Sequence, residues 1–166
     1  MVDYLRVADR AWPVLGPLMS AHATVYRATR GRVGGRLPGL PPMLLLDHVG
    51  ARTGRRRTIP LVYMPDGENL VVVAAKGGYP RHPGWVHNLR ARPDTEVQVG
   101  SRRIEVHARE ANGDERRRLW SSATAYNPLW GGYQRRTERT IPLVVLEPRS
   151  SYSPSPTARS ASSQLR

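Results

Sequence analysis

Cysteine is absent from the 166 residues. That excludes a disulfide framework, a thiolate zinc site and a cysteine nucleophile, and it suits a reducing cytoplasm. Phenylalanine is absent too, so every aromatic ring, four Trp and seven Tyr, carries a polar group, which favours pocket walls over plain core filling. No apolar run reaches the roughly 18 residues of a membrane span. Met1-Val2-Asp3-Tyr4-Leu5-Arg6 lacks a basic region followed by an apolar one, so no secretory signal is expected. Acidic side chains are scarce: 13 against 26 Lys+Arg leave a net charge of +13. The expected partner is therefore anionic: a phosphorylated or carboxylated cofactor, nucleic acid or a membrane face.

Lysine is almost missing. Lys76 is the one lysine among those 26 cations, placed before Gly77-Gly78. Either a compact ammonium is needed where a planar guanidinium would not fit, or Lys76 is a chance surface residue. Several motifs are missing as well. Without a Gly-x-Ser-x-Gly elbow a serine hydrolase is disfavoured. Gly50-Ala51-Arg52-Thr53-Gly54 lacks the Gly-Lys-Ser/Thr ending of a phosphate loop, and Gly31-Arg32-Val33-Gly34-Gly35-Arg36 follows no strand. His82 and His87 are five apart, off one helical face, and His22, His48 and His107 are scattered, so no metal site is expected.

What is present is organised around residues 43–88. The run Met43-Leu44-Leu45-Leu46 breaks at the cationic turn Gly50 to Arg57. Strand-like Ile59 to Tyr63, the turn Pro65-Asp66-Gly67-Glu68 and Leu70 to Ala75 follow, and Pro83 begins a short helix ending near Ala91. Upstream, residues 3–29 read as a helix bent or restarted at Pro13 and Pro17. Its apolar face either packs on the domain or covers a lipophilic substrate or lipid surface. Gly31 to Pro42 is a loop. Downstream come a hairpin across Gly100-Ser101, a helix capped by Asn112 running to Ala125, an aromatic loop from Tyr126 to Tyr133, and a last strand from Ile141 to Leu146. Arg139-Thr140-Ile141-Pro142-Leu143-Val144 repeats Arg57-Thr58-Ile59-Pro60-Leu61-Val62, as two strands entering one barrel alike, each with its proline near the strand start. Three segments result: an N-terminal helix and linker over 1–40, a domain over 41–148, and a disordered Ser/Pro/Arg tail over 149–166. Six hairpin-joined strands argue for an antiparallel barrel or sandwich, mainly β with flanking helices.

Gly50-x-Arg52-Thr53-Gly54-x-x-Arg57-x-x-Pro60-Leu61, Ala75-Lys76-Gly77-Gly78, His82-Pro83-x-Trp85-x-x-Asn88-Leu89 and Arg139-Thr140-Ile141-Pro142 resemble the deazaflavin-dependent nitroreductase family of actinobacteria over residues 40–148. The resemblance implies a split β-barrel related to FMN-binding proteins and an enzyme that uses coenzyme F420. Such an enzyme passes a hydride from the reduced deazaflavin to a quinone, nitroaromatic or activated double bond. It further implies that Arg52, Thr53, Arg57 and Lys76 hold the phosphate and carboxylate end. The backbone of Thr58, Ile59, Pro60, Leu61 and Val62 and of Val73, Ala74 and Ala75 would line the ring. Gly84, Trp85 and Asn88 would close the other side, and Trp130 would shield the ring. Tyr126, Trp130 and Tyr133 are the candidate substrate wall, or else an aromatic cluster that pins a loop; Trp85 has a second reading as core. Ala51 and Ala75 stand where relatives often place a cation and a serine, so the tail is held either more weakly or by Arg55 or Arg56, and a hydroxyl that could polarise the substrate is missing.

Two other readings stay open. A basic nucleic-acid module fits the charge, although the arginines are spread along the chain and no reader motif occurs; alternatively the same barrel binds FMN, haem or a fatty acid. A peripheral membrane contact through the first helix is a further partner that the sequence allows.

Overall fold

A computed structural model describes residues 18–35 and 41–149. The chain begins there with a helix over 18–28 (α1), followed by strands β1 (Met43–Val49), β2 (Arg56–Asp66) and β3 (Asn69–Val73). A single turn over Lys76–Gly78 leads to helix α2 (Gly84–Ala91), strands β4 (Asp94–Val99) and β5 (Arg102–Glu110), helices α3 (Gly113–Tyr126) and α4 (Leu129–Gln134), and strand β6 (Leu143–Pro148). The expected helix before residue 18 and the expected disordered tail lie outside the described residues.

The strands close into an antiparallel barrel in the order β1-β2-β3-β6-β5-β4, the split-barrel class that the motifs imply. Inside it, Leu44 and Leu46, Val72 and Ala74, Val106 and Ala108, and Val144 and Leu146 point inward at strand period two. Trp85, Val86 and Leu89 of α2 join this cluster. The alternate residues are buried as well. Val71, Val73, Leu143 and Val145 meet Leu119, Ala123 and Trp130 of α3 and α4, while Leu45 meets Ala23 and Tyr26 of α1. Burial on both faces is why Leu44-Leu45-Leu46, Val71-Val72-Val73 and Leu143 to Leu146 read as unbroken apolar runs.

The echoed hexapeptides diverge. Pro142 does stand ahead of β6, where its carbonyl accepts from Ala74 N at 2.9 Å. Pro60, however, sits inside β2, opposite Leu45. It is tolerated because β3 pairs only with Tyr63 to Asp66, leaving the earlier part of β2 with one ladder neighbour. Other local expectations shift too. Asn112 occupies the N-cap position of α3 without a side-chain cap bond; instead Arg109 grips Glu115 of the first turn at 2.6 and 2.8 Å. The expected aromatic loop is largely the helix α4.

Tyr26 docks α1. Its hydroxyl donates to Met43 O (2.9 Å) and accepts from Gly100 N (2.9 Å), and the residue is 1% exposed. Gly31, at φ +75°, lets the chain pass so close that a Cβ there would stand 2.6 Å from Gly100 Cα. Tyr26→Phe is expected to cost about 1–2 kcal/mol by leaving a partly buried N–H and C=O without the hydroxyl that pairs them, measured by urea unfolding; an unchanged midpoint would contradict this docking. Among the described residues no helix is long and apolar enough to cross a membrane.

Candidate active site

Three devices place the cationic side chains. The first is the turn after β1, closed by Gly54 N to Gly50 O (2.8 Å) and Gly50 N to Arg55 O (2.9 Å). Asn88 of α2 anchors it: Ala51 N–H donates to Asn88 Oδ1 at 2.9 Å, and Asn88 Nδ2 lies 2.9 Å from His48 Nδ1. A backbone N–H can only donate, so Asn88 presents its amide N–H to His48, whose Nδ1 must accept.

The second device is the turn after β3. Lys76, Gly77 and Gly78 have φ of +46°, +63° and +82°, three consecutive left-handed residues, of which only the glycines are suited to that region. Arg139 fastens the turn from outside. Its guanidinium donates to Ala74 O (3.0 Å), Ala75 O (2.8 Å) and Tyr79 O (2.7 Å), and Nη1 lies 3.0 Å from His82 Nδ1. Arginine has no acceptor, so His82 accepts through a neutral ring; burial first, then the Arg139 charge, lowers its pKa. The Lys76 ammonium stands 4.3 Å from the Tyr79 ring centroid. A Cβ on Gly78 would meet Tyr133 O at 2.7 Å and Arg136 Cβ at 2.9 Å. Gly78→Ala should therefore lower the melting temperature by several degrees, and an unchanged melting curve would contradict the close approach to α4.

The third device is α1. Arg27 Nη2 donates to Asp47 Oδ1 and Oδ2 at 2.7 and 3.0 Å. Thr58 Oγ1 donates to the same carboxylate, and Thr95 Oγ1 to the Asp47 carbonyl. The helix is thereby tied over the start of β2.

These devices surround one cleft of about 1310 Å³. Arg27, Arg52, Arg56, Arg57 and Lys76 line it together with Trp85, and among the described residues no lining residue is Asp or Glu. Of the residues expected to bind the cofactor, Arg52, Thr53, Arg57, Thr58, Ile59, Lys76, Gly84, Trp85 and Asn88 lie on its wall. Asn88 acts there by bridging the turn to His48. Trp85 is both core and wall, being 4% exposed.

The remaining expected positions stand elsewhere. Pro60, Leu61, Val62, Val73, Ala74 and Ala75 are turned into the barrel ladders and core clusters, and the carbonyls of Ala74 and Ala75 are engaged by Arg139. Trp130, 5% exposed, fills the cluster between α4 and the outer face of β3 and β6. Tyr133 packs beside it, and Tyr126, at the end of α3, is 39% exposed. None of these three aromatics lines the cleft, because α3 and α4 cover a different face of the barrel. Arg56 does line it and Arg55 does not.

The sequence reading missed His48 and Ala23, both cleft-lining, whereas Met19 and Arg27, also on the wall, belong to the helix read as packing on the domain or covering a lipophilic substrate or lipid surface. A histidine between Leu46 and Val49 was the available signal for the first. Its pKa is lowered by burial first and then by Arg57, which opposes it across the ladder, while Asp47 pulls the other way. The folded state therefore holds fewer protons on His48 than the unfolded chain. The stability this provides is complete above the ordinary value of 6.5 and is lost as pH falls below it. Acid unfolding curves of His48→Gln should lose part of that slope; an identical slope would contradict the burial.

Fold and cleft together define a class: a small antiparallel barrel whose cationic cleft suits a long anionic ligand. Residues 18–148 match the family F420H(2)-dependent quinone reductase, and the chain belongs to that family, whose members are oxidoreductases dependent on the deazaflavin F420. The F420H(2)-dependent quinone reductase Rv1261c of Mycobacterium tuberculosis is 46% identical over 132 residues, 78% of this chain and 89% of that protein. A solved F420-H2 dependent reductase, FDR-A, is 36% identical with a TM-score of 0.59, the match covering 64% of this chain and 94% of that one. A structure described as a domain-swapped dimer is 32% identical with a TM-score of 0.62, covering 77% and 96%.

Proposed function

We propose that the protein reduces a quinone with F420H2 bound in the cleft between α1, the arginine-bearing turn and α2. The observation that carries this is the convergence of Arg52, Arg56, Arg57 and Lys76 on one cavity with no carboxylate among its described lining residues, the fifth cation, Arg27, being paired with Asp47. Its volume also exceeds the roughly 300–1,000 Å³ of ordinary small-molecule sites. When bound, the reduced deazaflavin supplies the hydride. The chain's own part is to hold, align and exclude water. Arg52, Arg56, Arg57 and Lys76 pair with the phosphodiester and carboxylates, with Thr53 and the start of β2 beside them. Trp85 and Gly84 flank the ring. Met19 and Ala23 of α1, which also line the cleft, offer an apolar wall to the quinone, in place of the aromatic residues of α3 and α4.

Titrating the protein with F420 and, separately, with FMN while following Trp fluorescence tests the reading. Quenching at micromolar F420, weakening steeply as salt is raised, is expected. Equal or stronger FMN binding, or no response to F420, would remove the proposal. Binding of DNA or RNA that survives Lys76→Ala would instead favour the nucleic-acid reading.

A further inference from the structure

We infer that His48 is a further ligand-binding residue of the cleft: Asn88 holds it as the Nε2–H tautomer, and it donates that N–H to an anionic oxygen of the bound molecule. This rests on the cleft being the deazaflavin site, and it adds a contact that neither charge nor motif pointed to.

The direction of each hydrogen bond follows from one obligatory donor. Ala51 N–H occupies Asn88 Oδ1, so Asn88 turns its amide N–H to His48 Nδ1, and the ring proton must stand on Nε2. Among the described residues no protein group accepts from Nε2. The buried polar side-chain atoms without partners are Arg27 Nε and Gln98 Oε1; Nε2 is not one of them and is therefore open. For a residue 7% exposed that lines the cleft, the opening is the cleft itself. Arg57 stands across the ladder from His48 and Arg52 lies on the turn that Asn88 holds, so the acceptor belongs to the anionic, phosphate-bearing part of the ligand. The same relay joins that acceptor, through His48 and Asn88, to the Ala51 amide. A ligand seated on His48 thus also steadies the turn that carries Arg52.

Two measurements test this. In the ligand-free protein at neutral pH, two-bond 1H–15N correlations should show the Nε2–H tautomer at His48; the Nδ1–H tautomer or an imidazolium would overturn the inference. For binding, His48→Asn keeps an acceptor for Asn88 and removes the cleft donor, whereas His48→Gln restores a donor near the Nε2 position. His48→Asn should weaken F420 binding about tenfold with an unchanged melting temperature, and His48→Gln should recover most of that loss. The deazaflavin chromophore without its phosphodiester tail should bind wild type and His48→Asn alike. Unaltered F420 affinity in His48→Asn, or an equal loss with the tail-less chromophore, would refute the inference while leaving the deazaflavin site standing. A wild-type protein that binds no F420 removes the site and this contact together.

Discussion

Arg139→Met is expected to lower stability by about 3 kcal/mol and F420 affinity about tenfold or more, the first read by urea unfolding and the second by fluorescence titration. The guanidinium meets three carbonyls and one imidazole nitrogen, all neutral acceptors, on segments 74–75 and 79–82. Those segments bracket the left-handed turn at Lys76 and lead into α2. Removing the fork leaves carbonyls unpaired in a partly buried place and frees a turn whose first residue is not a glycine. Arg139→Lys should recover only part of the loss, because three donors on one tetrahedral nitrogen cannot reach four acceptors arranged around a planar group. If Arg139→Met melts like the wild type, the turn holds its shape without the clamp and Arg139 has no positioning role.

Lys76→Gly should separate charge from backbone. Because φ at Lys76 is +46°, every side chain there costs roughly 1–2 kcal/mol that glycine does not. The variant should therefore unfold at a slightly higher denaturant concentration, by up to about 1 kcal/mol after glycine's greater chain entropy is subtracted. Its F420 affinity should nevertheless fall by a factor of about 10–100, since the ammonium that would pair with the anionic end of the cofactor is lost. Lys76→Arg should bind better than Lys76→Gly but worse than wild type if a compact ammonium is what the site requires. A Lys76→Gly protein that binds F420 normally would return this lysine to the status of a surface cation.

The distinction between these two variants reflects how differently the two residues were legible. Lys76 announced itself by rarity and by the glycines after it. Arg139 is one arginine among twenty-five, since the 26 cations include a single lysine. Its motif with Thr140, Ile141 and Pro142 was visible, but its task of clamping carbonyls some 60 residues earlier was not. His48 was equally hidden, because a buried imidazole is defined by what closes over it. The aromatic cluster kept two readings, a substrate wall or a cluster that pins a loop, and the chain around Tyr126, Trp130 and Tyr133 could not separate them, because it is α4 that turns Trp130 into the packing of β3 and β6.

The order of strands and turns, the anionic ligand class and the cationic turn before β2 were determined by the sequence alone. Apolar runs, glycine-led turns and fixed charge act within a few residues of where they are written. Which runs are buried on both faces, which arginines reach the cleft, and that α1 rather than α4 forms its apolar wall were decided by barrel closure. Closing β1 onto β4 and β3 onto β6 brings residues from positions 19 to 88 around one space, and it carries α3 and α4 to the barrel's outer face. No local pattern encodes that choice, because it depends on which side of a closed sheet each helix covers.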